Sequence, residues 1–216
     1  MNHYKLIIFD WDGTLMDSVD RIVSSMQIAA NNASLPIPSN EQAKQIIGLS
    51  MPKVVDVLFP QRTQAQESIL IEQYKRQYKE LNNVPTPMFN NAIALLSKLR
   101  QKNKLLAIAT GKGRDGLERV MRETQTAHFF HASRCASDAI SKPDPQMLFS
   151  LLDELGISAN EAVMIGDTSH DLKMAQLANI DSIGVTHGVH DASILSLYKP
   201  KAVVNSLMQL ENILIK

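Results

Sequence analysis

The sequence predicts an α/β protein with a doubly wound parallel sheet and an inserted all-helical domain. Short apolar runs without polar alternation, such as residues 6–9 and 162–165, are typical of strands buried on both faces of a sheet. Amphipathic helical patterns separate these runs, and strands that alternate with helices indicate a parallel sheet. Residues 17–84, however, contain only helical patterns. We therefore predict a core domain formed by residues 1–16 and 85–216, and an inserted domain at 17–84, called the helical insertion below.

The helical insertion begins soon after the first strand. Apolar residues at three- and four-residue steps predict its first helix: Val19, Ile22, Val23, Met26 and Ala30. Ser39 and Gln42 form a capping-box pattern for a second helix, and Ser50 is expected to cap a third. A longer helix is predicted over residues 67–81, and the prolines of the Val84–Pro87 segment then favour extended backbone.

The alternation of strands and helices resumes after the insertion. Further strands are predicted at 105–110, 132–135, 162–165, 183–185 and 202–204. Asp144 is expected to cap the helix that ends before Gly156, and Ser158 with Glu161 repeats the capping-box pattern. Asn179 is expected to close the helix after the strand at 162–165, because asparagine tolerates left-handed backbone.

Composition limits the classes of partner and compartment. Among 216 residues, 22 basic and 22 acidic side chains give a formal net charge of zero, so we expect no general attraction to nucleic acid or anionic membranes. The single cysteine, Cys135, is expected to be a buried apolar residue, consistent with a reducing compartment. The N-terminal apolar run is too short for a signal sequence or a membrane span. We therefore expect a cytoplasmic protein.

Acidic residues follow two of the predicted strands. Asp10 and Asp12 come directly after the first strand, and Asp167 and Asp171 follow the strand at 162–165. The Asp-Gly pair after the first strand could close a hairpin, but a helix and not a second strand follows it. Because the carboxyl ends of parallel strands meet at one edge, these acids are expected to lie together. Clustered carboxylates suit a hard cation such as Mg²⁺.

Residues suited to phosphate binding are expected at the same edge. Thr110 ends the strand predicted at 105–110 and Gly111 comes directly after it, and Lys142 lies in a loop of the core. A lysine, a hydroxyl and a glycine amide are groups that bind phosphate. Together with a metal site, they predict metal-assisted phosphoryl transfer.

Four short motifs resemble those of the haloacid dehalogenase (HAD) superfamily, in the same order. The first motif corresponds to Asp10-Trp11-Asp12-Gly13-Thr14-Leu15-Met16-Asp17-Ser18, the second to Thr110-Gly111-Lys112, the third to Lys142-Pro143-Asp144-Pro145 and the fourth to Gly166-Asp167-Thr168-Ser169-His170-Asp171. The chain is most similar to the phosphoglycolate phosphatase-like branch. The resemblance implies a Rossmann-like HAD core, with the helical insertion as its cap.

The resemblance also implies roles for individual residues. Asp10 would be the nucleophile that forms an aspartyl-phosphate, and Asp12 would be the general acid and base. Thr110 and Lys142 would act with Asp10 and Asp12 in catalysis. The implied phosphate-binding set is Gly13, Thr14, Thr110, Gly111 and Lys142. The implied Mg²⁺ ligands are Asp10, the carbonyl oxygen of Asp12, Asp167, and Asp171 in or just outside the ligand shell.

The predicted function is a Mg²⁺-dependent phosphatase that hydrolyses a small-metabolite phosphomonoester, similar to phosphoglycolate. One alternative is a phosphotransferase or mutase of the β-phosphoglucomutase type, which passes the phosphoryl group to an acceptor other than water. A second alternative is a non-catalytic regulatory module that retains the fold. We expect a phosphorylated small molecule as the partner, no nucleic acid or membrane partner, and either a monomer or a homodimer.

Residues beside the motifs have simpler expectations. Lys112 is expected at the surface, and His170 at the rim of the site. Tyr74 and Tyr78 are expected in the core of the helical insertion. The loop at 48–50 is the part of the insertion that is expected to face the substrate.

Overall fold

A computed structural model describes residues 3–215 and has a parallel sheet at its centre. The strands in this range are β1 (Leu6–Phe9), β2 (Leu105–Ala109), β3 (Ala132–Arg134), β4 (Ala162–Gly166), β5 (Asp181–Val185) and β6 (Ala202–Val204). They follow the spatial order β3-β2-β1-β4-β5-β6, and every neighbouring pair is parallel. The chain therefore winds outward in both directions from β1, which confirms the predicted doubly wound α/β fold.

β1 is buried on both faces, which explains its unbroken apolar sequence. Ile7 and Phe9 belong to the apolar cluster on one face of the sheet, whereas Leu6 and Ile8 belong to the cluster on the other face. Successive side chains of a strand point to opposite faces, so both faces need apolar residues here. β1 pairs with β2 and β4, and its carboxyl end therefore lies in the middle of the sheet edge.

Helices cover both faces of the sheet. The helices of the core are α5 (Ala92–Gln101), α6 (Arg114–Glu123), α7 (Gln146–Leu155), α8 (Ser169–Leu177), α9 (Ala192–Ser196) and α10 (Leu207–Ile215). α5, α6 and α10 contribute to the cluster that contains Ile7, and α7 and α8 contribute to the cluster that contains Leu6. None of the described helices is long and apolar enough to cross a lipid bilayer.

The helical insertion has its own apolar cluster. Its helices are α1 (Val19–Asn32), α2 (Asn40–Gln45), α3 (Met51–Leu58) and α4 (Gln64–Arg76), with a π-helical turn at Gln77–Leu81. Seventeen buried residues between Val19 and Tyr78 form this cluster, apart from the two clusters of the sheet. The capping box of Ser39 and Gln42 is present as predicted. α4 begins earlier than expected, because a capping box at Thr63 and Gln66 starts it.

The two connections between the core and the helical insertion run side by side. Met16 and Met88 form an antiparallel bridge. The Asp17 amide donates to the Pro87 carbonyl at 2.8 Å, and the Phe89 amide donates to the Leu15 carbonyl at 2.9 Å. These backbone hydrogen bonds join residues 15–17 and 87–89 into one ribbon, called the connecting ribbon below.

Smaller predictions had mixed outcomes. Gly156 and Asn179 adopt left-handed backbone with φ of 63° and 57°, as expected at the ends of their helices. Cys135 is buried, which confirms that prediction. Two predictions were wrong in detail. The segment that begins after Ser158 is a 3₁₀ turn without a side-chain cap. Pro145 takes the N-cap position expected for Asp144, although the Gln146 amide donates to Asp144 Oδ1 at 2.9 Å, as the prediction required.

Candidate active site

Three buried carboxylates meet at the carboxyl edge of the sheet. Asp10 follows β1, Asp167 follows β4, and Asp171 lies in the first turn of α8. One oxygen of each carboxylate lies within 4.8 Å of the others, and each residue is at most 1% exposed. The convergence follows from the parallel pairing of β1 with β4. These three residues are a group that could hold a metal ion.

Lys142 contributes the positive charge next to this group. Its Nζ lies 2.6 Å from Asp171 Oδ1 and 2.9 Å from Asp10 Oδ1, and the lysine side chain is fully buried. Burial by itself lowers the pKa of Lys142, but the charges of Asp10 and Asp171 outweigh it and raise the pKa above its ordinary value. Lys142 is therefore a fixed cation at the expected position.

Asp167 is held from two sides. The Thr14 hydroxyl donates to Asp167 Oδ1 at 2.7 Å, and the Val189 amide donates to Oδ2 at 2.9 Å. Gly13 has φ of +80°, and a Cβ at this position would lie 2.2 Å from Asp167 Oδ2. Only glycine fits such a close approach at positive φ. Thr14 and Gly13, both expected near phosphate, thus also position a carboxylate.

Asp171 is fixed by the start of its own helix. Its Oδ2 accepts hydrogen bonds from the Thr168 amide at 3.1 Å and from the Thr168 hydroxyl at 2.7 Å, and its Oδ1 contacts Lys142. Thr168 and Asp171 form a capping box at the N-terminus of α8. Asp171 therefore orients Lys142 as well as adding negative charge to the group.

Asp10 has the least satisfied carboxylate of the three. Neither oxygen accepts a hydrogen bond from residues 3–215, although Lys142 lies next to Oδ1. Burial raises the pKa of Asp10 to about 7, and the charge of Asp171 adds to this rise while Lys142 opposes it. Burial and the charges of Asp10 and Asp171 also raise the pKa of Asp167. High pKa values are expected where carboxylates crowd without enough positive charge.

The net charge of the three carboxylates with Lys142, and the nearby oxygen atoms without hydrogen-bond partners, fit a divalent cation. Three carboxylates and one lysine leave an excess of two negative charges when all four are ionised. Asp10 Oδ2 has no hydrogen-bond partner in the described chain, and the Asp12 carbonyl oxygen accepts no hydrogen bond there either. Hard oxygen atoms of this kind are the ligands that Mg²⁺ prefers.

The Asp12 side chain contacts residues other than the three buried carboxylates. Ser18 Oγ donates to Asp12 Oδ1 at 2.6 Å, and Lys112 Nζ lies 3.0 Å from Asp12 Oδ2. Lys112 Nζ also lies 4.7 Å from the centre of the Tyr78 ring. Asp12 is thus oriented by a hydroxyl from the start of the helical insertion and by a lysine from the core.

The expected surface position of Lys112 was wrong. Its side chain is 9% exposed, because it reaches back from its loop between Asp12 and Tyr78. Burial by itself lowers the pKa of Lys112, but the Asp12 carboxylate with Tyr78 and Tyr74 outweighs it and raises the pKa. The only signal for this contact in the sequence is that Lys112 directly follows Thr110 and Gly111.

Thr110 and Gly111 lie beside the two acids. Thr110 is 1% exposed, and its hydroxyl accepts a hydrogen bond from the Lys112 amide at 3.2 Å. A Cβ at Gly111 would lie 2.3 Å from the carbonyl oxygen of Gly48. The backbone of the helical insertion therefore rests directly on this glycine, which leaves no room for a side chain.

A cavity of about 680 Å³ lies between the core and the helical insertion. Its lining includes Asp10, Asp12, Thr110 and Gly111 from the core, and Gly48 and Leu49 from the insertion. Two further contacts join the helical insertion to the core. The Ser50 amide donates to Ser141 Oγ at 2.9 Å, and His170 Nε2 lies 3.0 Å from the Gln45 carbonyl oxygen.

Comparison with known proteins identifies the family. Residues 7–185 match the family model described as haloacid dehalogenase-like hydrolase. The chain belongs to this family. The resemblance found in the four motifs is thereby confirmed, and the chain is a hydrolase of the HAD type with the α/β core expected for it.

Curated relatives cover nearly the whole chain. "Probable phosphatase IndB" of Dickeya dadantii is 29% identical over 209 residues, which cover 94% of this chain and 90% of the relative. The phosphoglycolate phosphatase of Vibrio cholerae is 28% identical over 224 residues, which cover 96% and 95% of the two chains. The similarity to the phosphoglycolate phosphatase-like branch therefore extends through the helical insertion.

Solved structures agree in fold. A hydrolase from Pseudomonas syringae superposes with a TM-score of 0.88 at 24% identity, covering 97% of each chain. A haloacid dehalogenase-like family hydrolase from Streptococcus pneumoniae gives a TM-score of 0.84 at 22% identity, covering 99% of each chain. At these identities the likeness shows the fold.

Proposed function

We propose that this protein is a Mg²⁺-dependent phosphatase that hydrolyses a small phosphomonoester through an aspartyl-phosphate at Asp10. The observation that carries the proposal is the Asp10 carboxylate. It is buried, lacks a hydrogen-bond partner on Oδ2, and lines a cavity beside Lys142 and Asp12. The names of the relatives support a phosphatase and make phosphoglycolate the first ester to test.

Asp10 is the nucleophile in this proposal. One of its oxygens attacks phosphorus, the bond from phosphorus to the alcohol oxygen breaks, and an aspartyl-phosphate forms. The covalent intermediate splits one difficult displacement into two. Burial favours this attack because the carboxylate is held in one place with little water around it.

Asp12 transfers the proton in both halves of the reaction. It donates a proton to the departing alcohol oxygen, and then accepts one from the water that attacks the aspartyl-phosphate. Water attack releases inorganic phosphate and restores Asp10. Ser18 at 2.6 Å and Lys112 at 3.0 Å hold the Asp12 carboxylate for this role.

Lys142 and the Thr110–Gly111 turn hold the oxygens of the phosphoryl group. The lysine supplies positive charge, and the Thr110 hydroxyl and Gly111 amide supply hydrogen bonds. Gly13 and Thr14 complete the proposed phosphate-binding set, since they form the turn that follows Asp10 and Asp12. This arrangement spreads donors around the position that the phosphoryl oxygens would occupy.

Asp10, Asp167 and the Asp12 carbonyl oxygen would hold the Mg²⁺ ion, with Asp171 in or just outside its ligand shell. The ion would neutralise charge, so that a carboxylate can approach an anionic phosphate. The excess of two negative charges and the unpartnered oxygens support this ligand set. The helical insertion serves as the cap that excludes water during the reaction.

The decisive experiment measures phosphate release from a generic aryl phosphate. The purified protein should release phosphate with Mg²⁺ and lose activity in EDTA. Asp10→Asn should lower kcat at least about 1,000-fold while the circular dichroism spectrum stays unchanged. Metal-independent turnover, or an active and folded Asp10→Asn protein, would contradict the proposal.

The same assay separates hydrolysis from transfer to an acceptor. We expect one phosphate released for each ester cleaved, with no labelled phosphoryl group appearing on added sugar phosphates. Preferential transfer to a sugar phosphate would establish the phosphotransferase alternative. Absence of both reactions across a broad panel of phosphomonoesters would favour the non-catalytic alternative.

A further inference from the structure

The cavity above Asp10 and Asp12 has an apolar wall made by the helical insertion. This apolar wall consists of Ile22, Met26, Ile47, Leu49, Val54 and Ile71. The first five are at most 9% exposed and belong to the apolar cluster of the insertion, against which Ile71 packs. The cavity is therefore an extension of a hydrophobic core and is large enough for a ligand of several rings.

The core cations that line the cavity are already paired with carboxylates. Cations reach it from the core side, and each contacts a carboxylate in the described structure: Lys112, Arg114 and Arg119. Lys75 and Lys79 also line the cavity, but both are exposed. A carboxylate placed a few bonds from the phosphoryl group would thus have to compete with Asp12 for Lys112.

Aromatic rings form the remaining side of the cavity. Tyr74 and Tyr78 stack with centroids 6.0 Å apart and planes 29° apart. Lys112 occupies the region over the Tyr78 ring, whereas the Tyr74 hydroxyl makes no hydrogen bond within residues 3–215. The Tyr74 hydroxyl is therefore available to a polar atom of a ligand. Tyr and Met side chains, here including Met26, make favourable contacts with aromatic ligands.

We propose that the alcohol part of the substrate is a mainly apolar, ring-containing group that fills this cavity against the apolar wall and Tyr74. This inference rests on the proposed phosphatase function and adds the substrate class to it. The apolar wall offers no hydrogen bonds to replace the hydration that a polar alcohol would lose there, whereas a ring system is stabilised against it by leaving water.

The test uses esters of primary alcohols, so that the departing oxygen keeps similar chemistry. The series is ethyl phosphate, phosphoglycolate, benzyl phosphate and 2-naphthylmethyl phosphate. We expect kcat/KM to rise with ring size, and 2-naphthylmethyl phosphate to exceed ethyl phosphate and phosphoglycolate by about 100-fold. A kcat/KM for phosphoglycolate equal to or above that for 2-naphthylmethyl phosphate would overturn the inference.

Two variants on α4 test whether the apolar wall causes the preference. Ile71→Arg places a cation in the cavity and should lower the ratio of kcat/KM for 2-naphthylmethyl over ethyl phosphate at least about tenfold. Ile69→Arg is the matched control, because Ile69 is on the same helix, is 43% exposed and does not line the cavity. An equal change of the ratio in both variants would count against the apolar wall.

A binding measurement separates this inference from the proposed function. Asp10→Asn protein should bind 2-naphthylmethyl phosphate about 100-fold more tightly than ethyl phosphate, as followed by naphthalene fluorescence and competition. Preferential binding without hydrolysis by the wild-type protein would retain the inference and reject the phosphatase. Hydrolysis of all esters without a ring preference would reject the inference and retain the phosphatase.

Discussion

Lys142→Met should destabilise the metal-free protein strongly. Lys142 Nζ lies 2.9 Å from Asp10 Oδ1 and 2.6 Å from Asp171 Oδ1, with no exposure of the lysine side chain. Methionine keeps most of the apolar stem and removes the ammonium group. Asp10, Asp167 and Asp171 would then share a buried site without a neighbouring lysine.

The expected loss follows from the burial of the pair. Removing one partner of a buried ion pair costs about 3–5 kcal/mol, because the other charge stays buried. For a chain of 150–250 residues each kcal/mol shifts Tm by about 2–4 °C, so we expect a loss of about 10 °C at pH 8 in EDTA.

The loss should be smaller at pH 6. With Lys142 present, burial raises the pKa of Asp10 to about 7, above its value in the unfolded chain, and removal of Lys142, which lowers this pKa, should raise it further. The folded variant should therefore take up a proton more readily than the unfolded chain as pH falls. That proton removes one of the repelling charges. The Lys142→Met variant should therefore regain part of its Tm between pH 8 and pH 6.

Scanning calorimetry in EDTA and in Mg²⁺ provides the measurement. Mg²⁺ should restore part of the lost Tm, because a divalent cation replaces the missing positive charge. Lys98→Met is the matched control, since Lys98 contacts Glu211 at 2.6 Å but is 51% exposed. This exposed pair should contribute at most about 1 kcal/mol. A Tm loss for Lys142→Met at pH 8 no larger than that of the control would show that the buried ammonium group does not stabilise the fold.

Three further predictions concern the metal, the acid and the cap. Because the pKa of Asp10 is raised to about 7, protons should compete with Mg²⁺ below that pH, and calorimetric titration should show affinity falling by up to about tenfold per pH unit; pH-independent affinity from 7 to 5 would contradict this. Lys112→Met should lower kcat about 10–100-fold by releasing Asp12, with a smaller loss of Tm than Lys142→Met, because Asp12 keeps its hydrogen bond from Ser18; a normal kcat would exclude this positioning role. Gly111→Ala should raise KM and lower kcat/KM at least about tenfold, because its Cβ would meet the Gly48 carbonyl at 2.3 Å; wild-type kinetics would show that the contact is dispensable.

Short sequence patterns were sufficient to predict which residues lie at the carboxyl ends of the strands. Asp10, Thr110 and Asp167 each follow an apolar run, and parallel pairing brings the ends of such runs to one edge. A polar residue directly after an apolar run is recognisable from a few neighbouring residues of the sequence. For this reason the candidate site could be located from the sequence before any side-chain geometry was known.

Contacts between distant segments could not be predicted in the same way. Lys112 and Tyr78 are 34 positions apart, and their contact depends on how the helical insertion lies on the core. A lysine in a polar loop gives no pattern that separates a buried position from an exposed one. The same reason applies to Thr14, whose hydroxyl contacts Asp167 across 153 positions.

The connecting ribbon limits how the helical insertion could move on the core. Its two chain segments are joined by backbone hydrogen bonds between residues 15–17 and 87–89, so sliding of one segment past the other would break those bonds. A hinge motion in which both segments bend together keeps these hydrogen bonds. Such a swing lifts Gly48 from Gly111 and Tyr78 from Lys112 in one movement. Entry of the substrate and loss of the Tyr78 contact of Lys112, the lysine proposed to orient Asp12, would then occur in one movement.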